Sequence, residues 1–418
     1  MDKTLLKQII LRQQEFISSL SIIDRGVVFE QNVNYVLVGM RRAGKSYLLY
    51  SQIQKLVELG ENIERMLFIN FEDERINGMQ QGDLHLILEA YSELFEHQPI
   101  IFLDEIQNVK GWEHFARRLA DEKYRVYITG SNAQMLSKEM AGALGGRYMV
   151  KEVFPFSFAE FLKYQGFNLT KNWLYESTKN DVVRLFNDYF YEGGLSEVFD
   201  VVDKRSWLTS LYHKVIYGDV ALRMGLKSDT TLRLIMKKLA ESVLQPMSIQ
   251  RMKNILDSVG TRTTRETISQ YISYLNDAYL TFSISNINNS LSEREGIKKH
   301  YFFDNGILNL FLSQSASKLL ENLVAITLFK KFGADLYYYN QNVEVDFIEK
   351  ESGLAMQVCY DLNDEETKKR EIKALVAINK IFTLKDNIIV TRDTRDEFVV
   401  NDIKIKVIPI WEFLLSDL

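Results

Sequence analysis

At 418 residues the chain is too long for one ordinary core, and roughly two to four domains are expected. A composition of 46% hydrophobic and 26% charged residues excludes the disordered and fibrous classes. A formal net charge of -5 argues against a protein that coats nucleic acid non-specifically, while leaving room for a local basic face.

The first stretch, MDKTLLKQIILRQQEF, has apolar residues at helical spacing broken by Lys, Arg and Gln, and reads as an amphipathic helix, not a signal peptide. VNYVLVG (33–39) then reads as a buried strand running into a glycine turn, and KSYLLYSQIQKLVELG as a helix closed by Gly60. RMLFINFE, PIIFLDE and YRVYITGS follow as three more apolar strands, separated by helix-patterned segments such as DLHLILEAYSELFEH and WEHFARRLADE. Strands alternating with helices predict a parallel sheet with helices on both faces. This unit is expected to span residues 1–165. Residues 166–230 read as a helical linker or lid. In 231–294, three helix patterns (LRLIMKKLAESVL, SIQRMKNILDSVG, TRETISQYISYLNDAYL) and a strand, TFSISNI, have the layout of a small winged helix. Residues 295–418 mix a long helix, SKLLENLVAITLFKKFG, with the strands YYYN, EVDFIEK, LAMQVCY and NIIVTRD, predicting a small α/β domain. No run approaches the ~20 apolar residues that span a bilayer. The single cysteine, Cys359, excludes an internal disulfide and fits a reducing compartment, so no membrane partner and a cytoplasmic location are expected.

One segment carries clear chemistry. Gly39-Met40-Arg41-Arg42-Ala43-Gly44-Lys45-Ser46 matches the phosphate-loop pattern G-x-x-x-x-G-K-[ST] between a strand and a helix. Glycines let backbone N–H groups converge on phosphate oxygens at a helix N-terminus. The predicted nucleotide contacts are Gly39, Arg42, Ala43, Gly44, Lys45, Ser46 and Tyr47, with the side chains of Arg41 and Arg42 pointing away from the phosphates. Lys45 would bridge the β- and γ-phosphates, and Ser46 would ligate Mg2+. The strand IIFLDE delivers Asp104 and Glu105 at its C-terminal end, where ligands bind in open α/β sheets. Asp104 would hold Mg2+ through water and Glu105 would polarise the attacking water; the alternative is a charged pair where a strand meets solvent. The second carboxylate and the lack of an N-K-x-D motif favour ATP over GTP. Thr129, Ser131 and Asn132 end the next strand, and Ser131 is the candidate γ-phosphate sensor, unless the stretch only turns the chain and caps a helix. Arg147 is a candidate for completing the charge around the γ-phosphate, from its own chain or from a neighbouring subunit of a homo-oligomer, or is an ordinary surface arginine.

GMRRAGKSYLL, LFINFEDERI, IIFLDEIQNVKGWE, ITGSNAQML, GGRYMVKEVFPFSFAEFL and YFYEGGLSEVF, followed by KHYFFDNGILNLFL, ENLVAITLF and EVDFI, together resemble a prokaryotic family of AAA-type ATPases. In that family an ATPase module precedes a winged helix and a restriction-endonuclease-like C-terminal domain. The resemblance covers nearly the whole chain. It implies a phosphate-loop fold of the class with an additional sheet strand and a catalytic glutamate, and ATP binding.

Two further features keep alternatives open. Thr261, Arg262, Thr263, Thr264, Arg265 and Thr267 cluster where a recognition helix begins and either contact duplex DNA or simply cap the helix. In the nuclease-like reading Glu321, Asp346 and Gln357 converge on a divalent ion. A cation is also needed beside the attacking water, and Cys359 stands where a lysine is expected; Lys368 or Lys369 is the nearest substitute by sequence. A neutral thiol is a poor Mg2+ ligand and carries no positive charge. The expectation is a nuclease-like fold that does not cut; the alternative is an ordinary hairpin in which Asp346 is a solvent-facing residue on a half-buried strand.

Overall fold

The computed structural model describes residues 2–130, 144–222 and 229–416. The chain divides into two compact units, Met1–Phe154 with Asp277–Tyr279, and Pro155–Asn276 with Leu280–Leu418. Two units thus stand where the sequence reading divides the chain at 165/166, 230/231 and 294/295.

The first unit is built on five parallel strands, β1 (Asn34–Val38), β2 (Met66–Asn70), β3 (Ile100–Asp104), β4 (Arg125–Gly130) and β5 (Tyr148–Glu152), in the order β2-β3-β4-β1-β5. The three central strands are apolar almost throughout because both faces are covered, as in parallel sheets generally. β5 escaped the sequence reading because it is an edge strand whose Met149 and Val150 are exposed. Among the described residues four helices flank the sheet: α1 (Lys3–Ser19), α2 (Lys45–Glu58), α3 (His85–Ser92) and α4 (Trp112–Asp121). α1 starts where the Asp2 carboxylate accepts from the Thr4 N–H at 2.9 Å. It buries Leu6, Ile9, Ile10 and Ile17, side chains worth about 2 kcal/mol each. α2 ends as expected near Gly60: its N–H bonds to the Val57 carbonyl and that of Glu61 to the Leu56 carbonyl, a Schellman closure. Because the strands all run parallel, the loops after β1, β3 and β4 open along one edge.

The first unit ends at Phe154, not at 165. The helix Phe158–Tyr164 belongs to the second unit and starts at its own capping box, Ser157 with Glu160. After it come helices Thr178–Glu192 and Lys204–His213, with the last continuing as a π-helix over Lys214–Leu222. Helices Asp229–Glu241, Ile249–Ser258 and Arg265–Asp277 follow, around the strands β6 (Met247–Ser248), β7 (Thr281–Asn286) and β8 (Ile297–Phe302). β8 pairs antiparallel with both β6 and β7. β7 also pairs parallel with β9 (Tyr337–Asn340), which carries the sheet on through β10 (Glu344–Glu349), β11 (Leu354–Val358), β12 (Asp386–Thr391) and β14 (Ile403–Pro409) to β13 (Asp396–Val400). These nine strands form one sheet, so the expected boundary at 294/295 falls inside the β7–β8 hairpin.

YFYEGG and YFFDNG have a packing explanation. The buried Asp304 carboxylate accepts from the Gly194 N–H at 2.7 Å and the Ile307 N–H at 3.1 Å. A Cβ at Gly194 or Gly306 would collide with the carbonyl oxygen of Phe156 or Glu192, so both positions require glycine. Among the described residues no helix is long and apolar enough to cross a membrane.

Candidate functional site

The loop between β1 and α2 is shaped by backbone conformations that few residues adopt. Gly39 has φ 151°, and a Cβ there would run into the Val153 carbonyl oxygen. Gly44, at φ 91°, takes the N-cap position of α2 without any side-chain cap, so the first amides of α2 face the loop. Arg42 is also left-handed, at φ 64°. A side chain from far upstream braces this turn: Arg25 donates through Nη1 to the Ala43 carbonyl (2.9 Å) and through Nη2 to the Phe154 carbonyl (3.0 Å). Arg41 is engaged with Glu72, Nη2 to Oε1 at 2.6 Å.

Inside the loop the Lys45 side chain is 4% exposed and its Nζ donates to the Gly39 and Met40 carbonyls at 3.0 and 3.1 Å. Ser46 Oγ donates to Asp104 Oδ2 at 2.8 Å. The other Asp104 oxygen, Oδ1, accepts a short bond from the Thr129 hydroxyl, whose Oγ1 in turn accepts the Glu105 N–H at 2.9 Å. Thr129 on β4 therefore links the two acidic residues at the end of β3. Glu105 stands at φ 53°, places Oε1 3.8 Å from Lys45 Nζ, and receives the Gln107 amide on Oε2. Burial, the dominant influence, pushes the Asp104 carboxyl up to about 6 against the opposing pull of Thr129, Ser46 and Lys45. A buried carboxylate beside a hydroxyl is a hard-oxygen pair of the kind Mg2+ takes, so Ser46 and Asp104 fit that ion. Tyr47, the outermost predicted contact, is 54% exposed and lies edge-on to Tyr50.

Gly39 through Tyr47, Asp104 and Glu105 are thus brought to one sheet edge. Ser131 and Asn132 lie outside the described residues. Arg147 does not reach that edge in its own chain. It precedes β5, whose Tyr148 is in register with Asn34 at the start of β1, so it stands at the opposite edge, about 16 Å away along the strand. There its Nε contacts Asp121 Oδ1 at 2.6 Å. Action on its own chain's site is corrected by this register; a neighbouring subunit's site and an ordinary surface arginine are the other two readings. Thr129 and Arg25 are the site residues that sequence reasoning missed. The sequence places Thr129 with Ser131 and Asn132 at a strand end suited to a sensor but does not show that it bridges the acidic pair, and nothing near Arg25 marks it as touching a loop 18 residues later.

Residues 31–162 match the AAA domain family, and residues 183–318 match a domain of unknown function, DUF8612. The uncharacterized protein MJ1544 of Methanocaldococcus jannaschii is 32% identical over 434 residues, covering 99% of this chain and 96% of its own length. The chain belongs to the family of that archaeal protein. Its phosphate-loop module is an AAA domain, with β4 standing between the loop strand and the strand that bears the acidic pair. A second uncharacterized relative, from Haemophilus influenzae, is 29% identical over 79% of this chain and 84% of its own. Among solved structures, a Walker-type ATPase of Pyrococcus abyssi is similar over 71% of this chain and 99% of its own, at 13% identity and a TM-score of 0.43.

A second cluster lies in the C-terminal part. Glu321 on the helix Ala316–Phe332, Asp346 on β10 and Gln357 on β11 do come together. Gln357 is engaged with backbone at both ends of its amide, accepting the Asp346 N–H at 2.9 Å and donating to the Glu344 carbonyl at 3.0 Å. Asp346 Oδ2 accepts the Val358 N–H at 3.0 Å, and Glu321 Oε1 accepts the Tyr301 hydroxyl at 2.7 Å. Cys359 donates its Sγ to the Asp361 carbonyl at 3.0 Å, and burial pushes its thiol up to about 11. Lys368 does not reach in; its Nζ sits 4.5 Å over the Phe398 ring. A lysine that the sequence did not suggest does: Lys299 on β8 has a fully buried side chain. Its Nζ stands 3.0 Å from Asp346 Oδ1, 3.2 Å from Glu344 Oε1 and 3.4 Å from Glu321 Oε1.

Proposed function

We propose that the protein binds ATP with Mg2+ and hydrolyses it as a nucleotide-controlled switch. The observation that carries this reading is the connected set Lys45, Ser46, Asp104, Thr129 and Glu105 at the mouth of a helix-terminated glycine loop. Lys45 would leave the loop carbonyls for the phosphates, since an ammonium gains more from a charged oxygen than from a neutral one. Ser46 and Asp104 would hold Mg2+, which supplies positive charge to the phosphate oxygens when bound. Glu105, carried on a left-handed residue just past the strand, would take up its role as water-polarising base after exchanging its bond to Gln107. Thr129 would keep both carboxylates in register. A role for Arg147 in hydrolysis requires a neighbouring subunit. Removing the ammonium in Lys45→Ala is expected to weaken ATP binding by about 10- to 100-fold, the worth of charge-assisted bonds. Titration with a fluorescent ATP analogue reads this, and wild-type affinity in the variant would defeat the proposal.

A second reading, a DNA-acting protein regulated by ATP, draws support from the second unit. The order helix, β6, helix, helix, β7, β8, with β8 paired between β6 and β7, fits a winged helix. Helix capping also gains support, because Thr264 Oγ1 accepts the Thr267 N–H at 3.1 Å. A salt-dependent affinity for duplex DNA is the expected outcome under this reading, and no binding at low salt counts against it. The C-terminal order of helix, strand, hairpin, helix and strand supports a restriction-endonuclease-like module, which we read as non-cleaving.

A further inference from the structure

We propose that the Lys299 ammonium is the resident cation of the C-terminal acidic cluster, occupying the position among Glu321, Glu344 and Asp346 that a divalent ion would otherwise take. This stands apart from the nucleotide reading and uses none of its residues.

β8 is an interior strand of the nine-stranded sheet, paired on both sides, and its Lys299 side chain is fully buried. A buried ammonium persists only where opposite charge surrounds it. Here the charge comes from two separate elements: the helix Ala316–Phe332 through Glu321, and β10 through Glu344 and Asp346. Lys299 Nζ also stands 5.7 Å from the centre of the Tyr338 ring.

The spacing then separates an ammonium from a metal. The three carboxylate oxygens lie 3.0, 3.2 and 3.4 Å from Lys299 Nζ. Those are N–H···O separations, whereas oxygens bind Mg2+ at about 2.0–2.1 Å and Ca2+ at about 2.3–2.6 Å. With the ammonium in place the oxygens are set for N–H···O contacts and not for coordination of either ion. Protein donors also bond to the set: the Val358 N–H to Asp346 and the Tyr301 hydroxyl to Glu321. Gln357, the third ligand expected from the sequence, is turned to backbone. Among the described residues, no group of three or more His, Cys, Asp or Glu side chains could hold a metal ion. Beside the cluster opens a cavity of about 690 Å³, lined by Glu321, Glu344, Asp346, Glu371, Arg370 and Lys373 among others. Its rim carries more carboxylates than cations, a surface that does not attract a phosphodiester without a metal to offset it. Cys359 thus supplies no positive charge at the edge of the cluster, while Lys299 supplies one within it.

The test uses the full-length chain, free of nucleotide, with Mn2+ as the probe and free ion followed by electron paramagnetic resonance. Any Mn2+ held at Ser46 and Asp104 is common to all variants and cancels in the comparison. Wild type and Asp346→Asn are expected to bind Mn2+ identically. Lys299→Met is expected to gain one ion per chain, at least tenfold tighter than any wild-type binding at this cluster, and to lose it again in Lys299→Met combined with Asp346→Asn. A wild-type ion that disappears in Asp346→Asn overturns the proposal, as does a folded Lys299→Met that gains none. If circular dichroism shows that Lys299→Met does not fold, the wild-type and Asp346→Asn pair decides the matter alone.

Discussion

Thr129 shows how one hydroxyl can govern two carboxylates. It donates to Asp104 and accepts from the Glu105 backbone, and it is fully buried, so no water can replace it. Thr129→Val keeps the shape and removes both bonds, leaving a buried N–H unpartnered at a cost of about 1–3 kcal/mol. In the ATPase account kcat falls about 10- to 100-fold while KM for ATP changes little, because the phosphates are held by the loop and not by Thr129. Thr129→Ser restores turnover. A purely structural role is excluded by that split and rescue, measured by steady-state phosphate release; equal kcat in Thr129→Val and wild type would remove Thr129 from the mechanism. The same scale shows what sequence could and could not reveal. Gly39 through Ser46 was legible because a phosphate loop is contiguous, each residue meeting the ligand through neighbouring backbone. Thr129, Arg25 and Lys299 were not, because each acts across strands or loops far away in sequence.

Secondary-structure elements were legible in proportion to how completely they are buried. β1, β2, β3 and β4 announced themselves as apolar runs. β5 and β13 did not, since edge strands alternate or expose their side chains. β8 carries polar residues inward: besides Lys299 it buries His300, whose ring is held down to about 4, chiefly by burial and secondarily by Lys298. The sign follows from which state takes the proton first. The unfolded chain protonates near the ordinary histidine value of 6.5, so the stability contributed by the neutral ring is complete above that pH and is lost as pH falls toward 4. The loss amounts to about 3 kcal/mol. Comparing urea unfolding of wild type and His300→Phe between pH 7 and pH 4 isolates this contribution from the buried carboxylates, which act in the opposite direction. A wild-type minus variant difference that stays constant with pH would show that His300 is not held neutral.

At the scale of the whole molecule, the chain joins an AAA domain to a second unit built on a continuous nine-stranded sheet. The sequence suggested four parts because motif style changes along it, yet pairing across β7 and β8 joins the third part to the fourth. Only tertiary pairing reveals that continuity. The account asks the nucleotide site to do the chemistry and the C-terminal cluster to do none, with Glu105 as the pivot of the first claim. The most direct test is steady-state Mg2+-ATP hydrolysis by the full-length protein, wild type against Glu105→Gln, with ATP binding measured in parallel and duplex DNA added in a second arm. The account predicts measurable turnover in wild type, a loss of at least about 100-fold in Glu105→Gln, and unchanged ATP affinity. Equal turnover in the two proteins, with or without DNA, would contradict it.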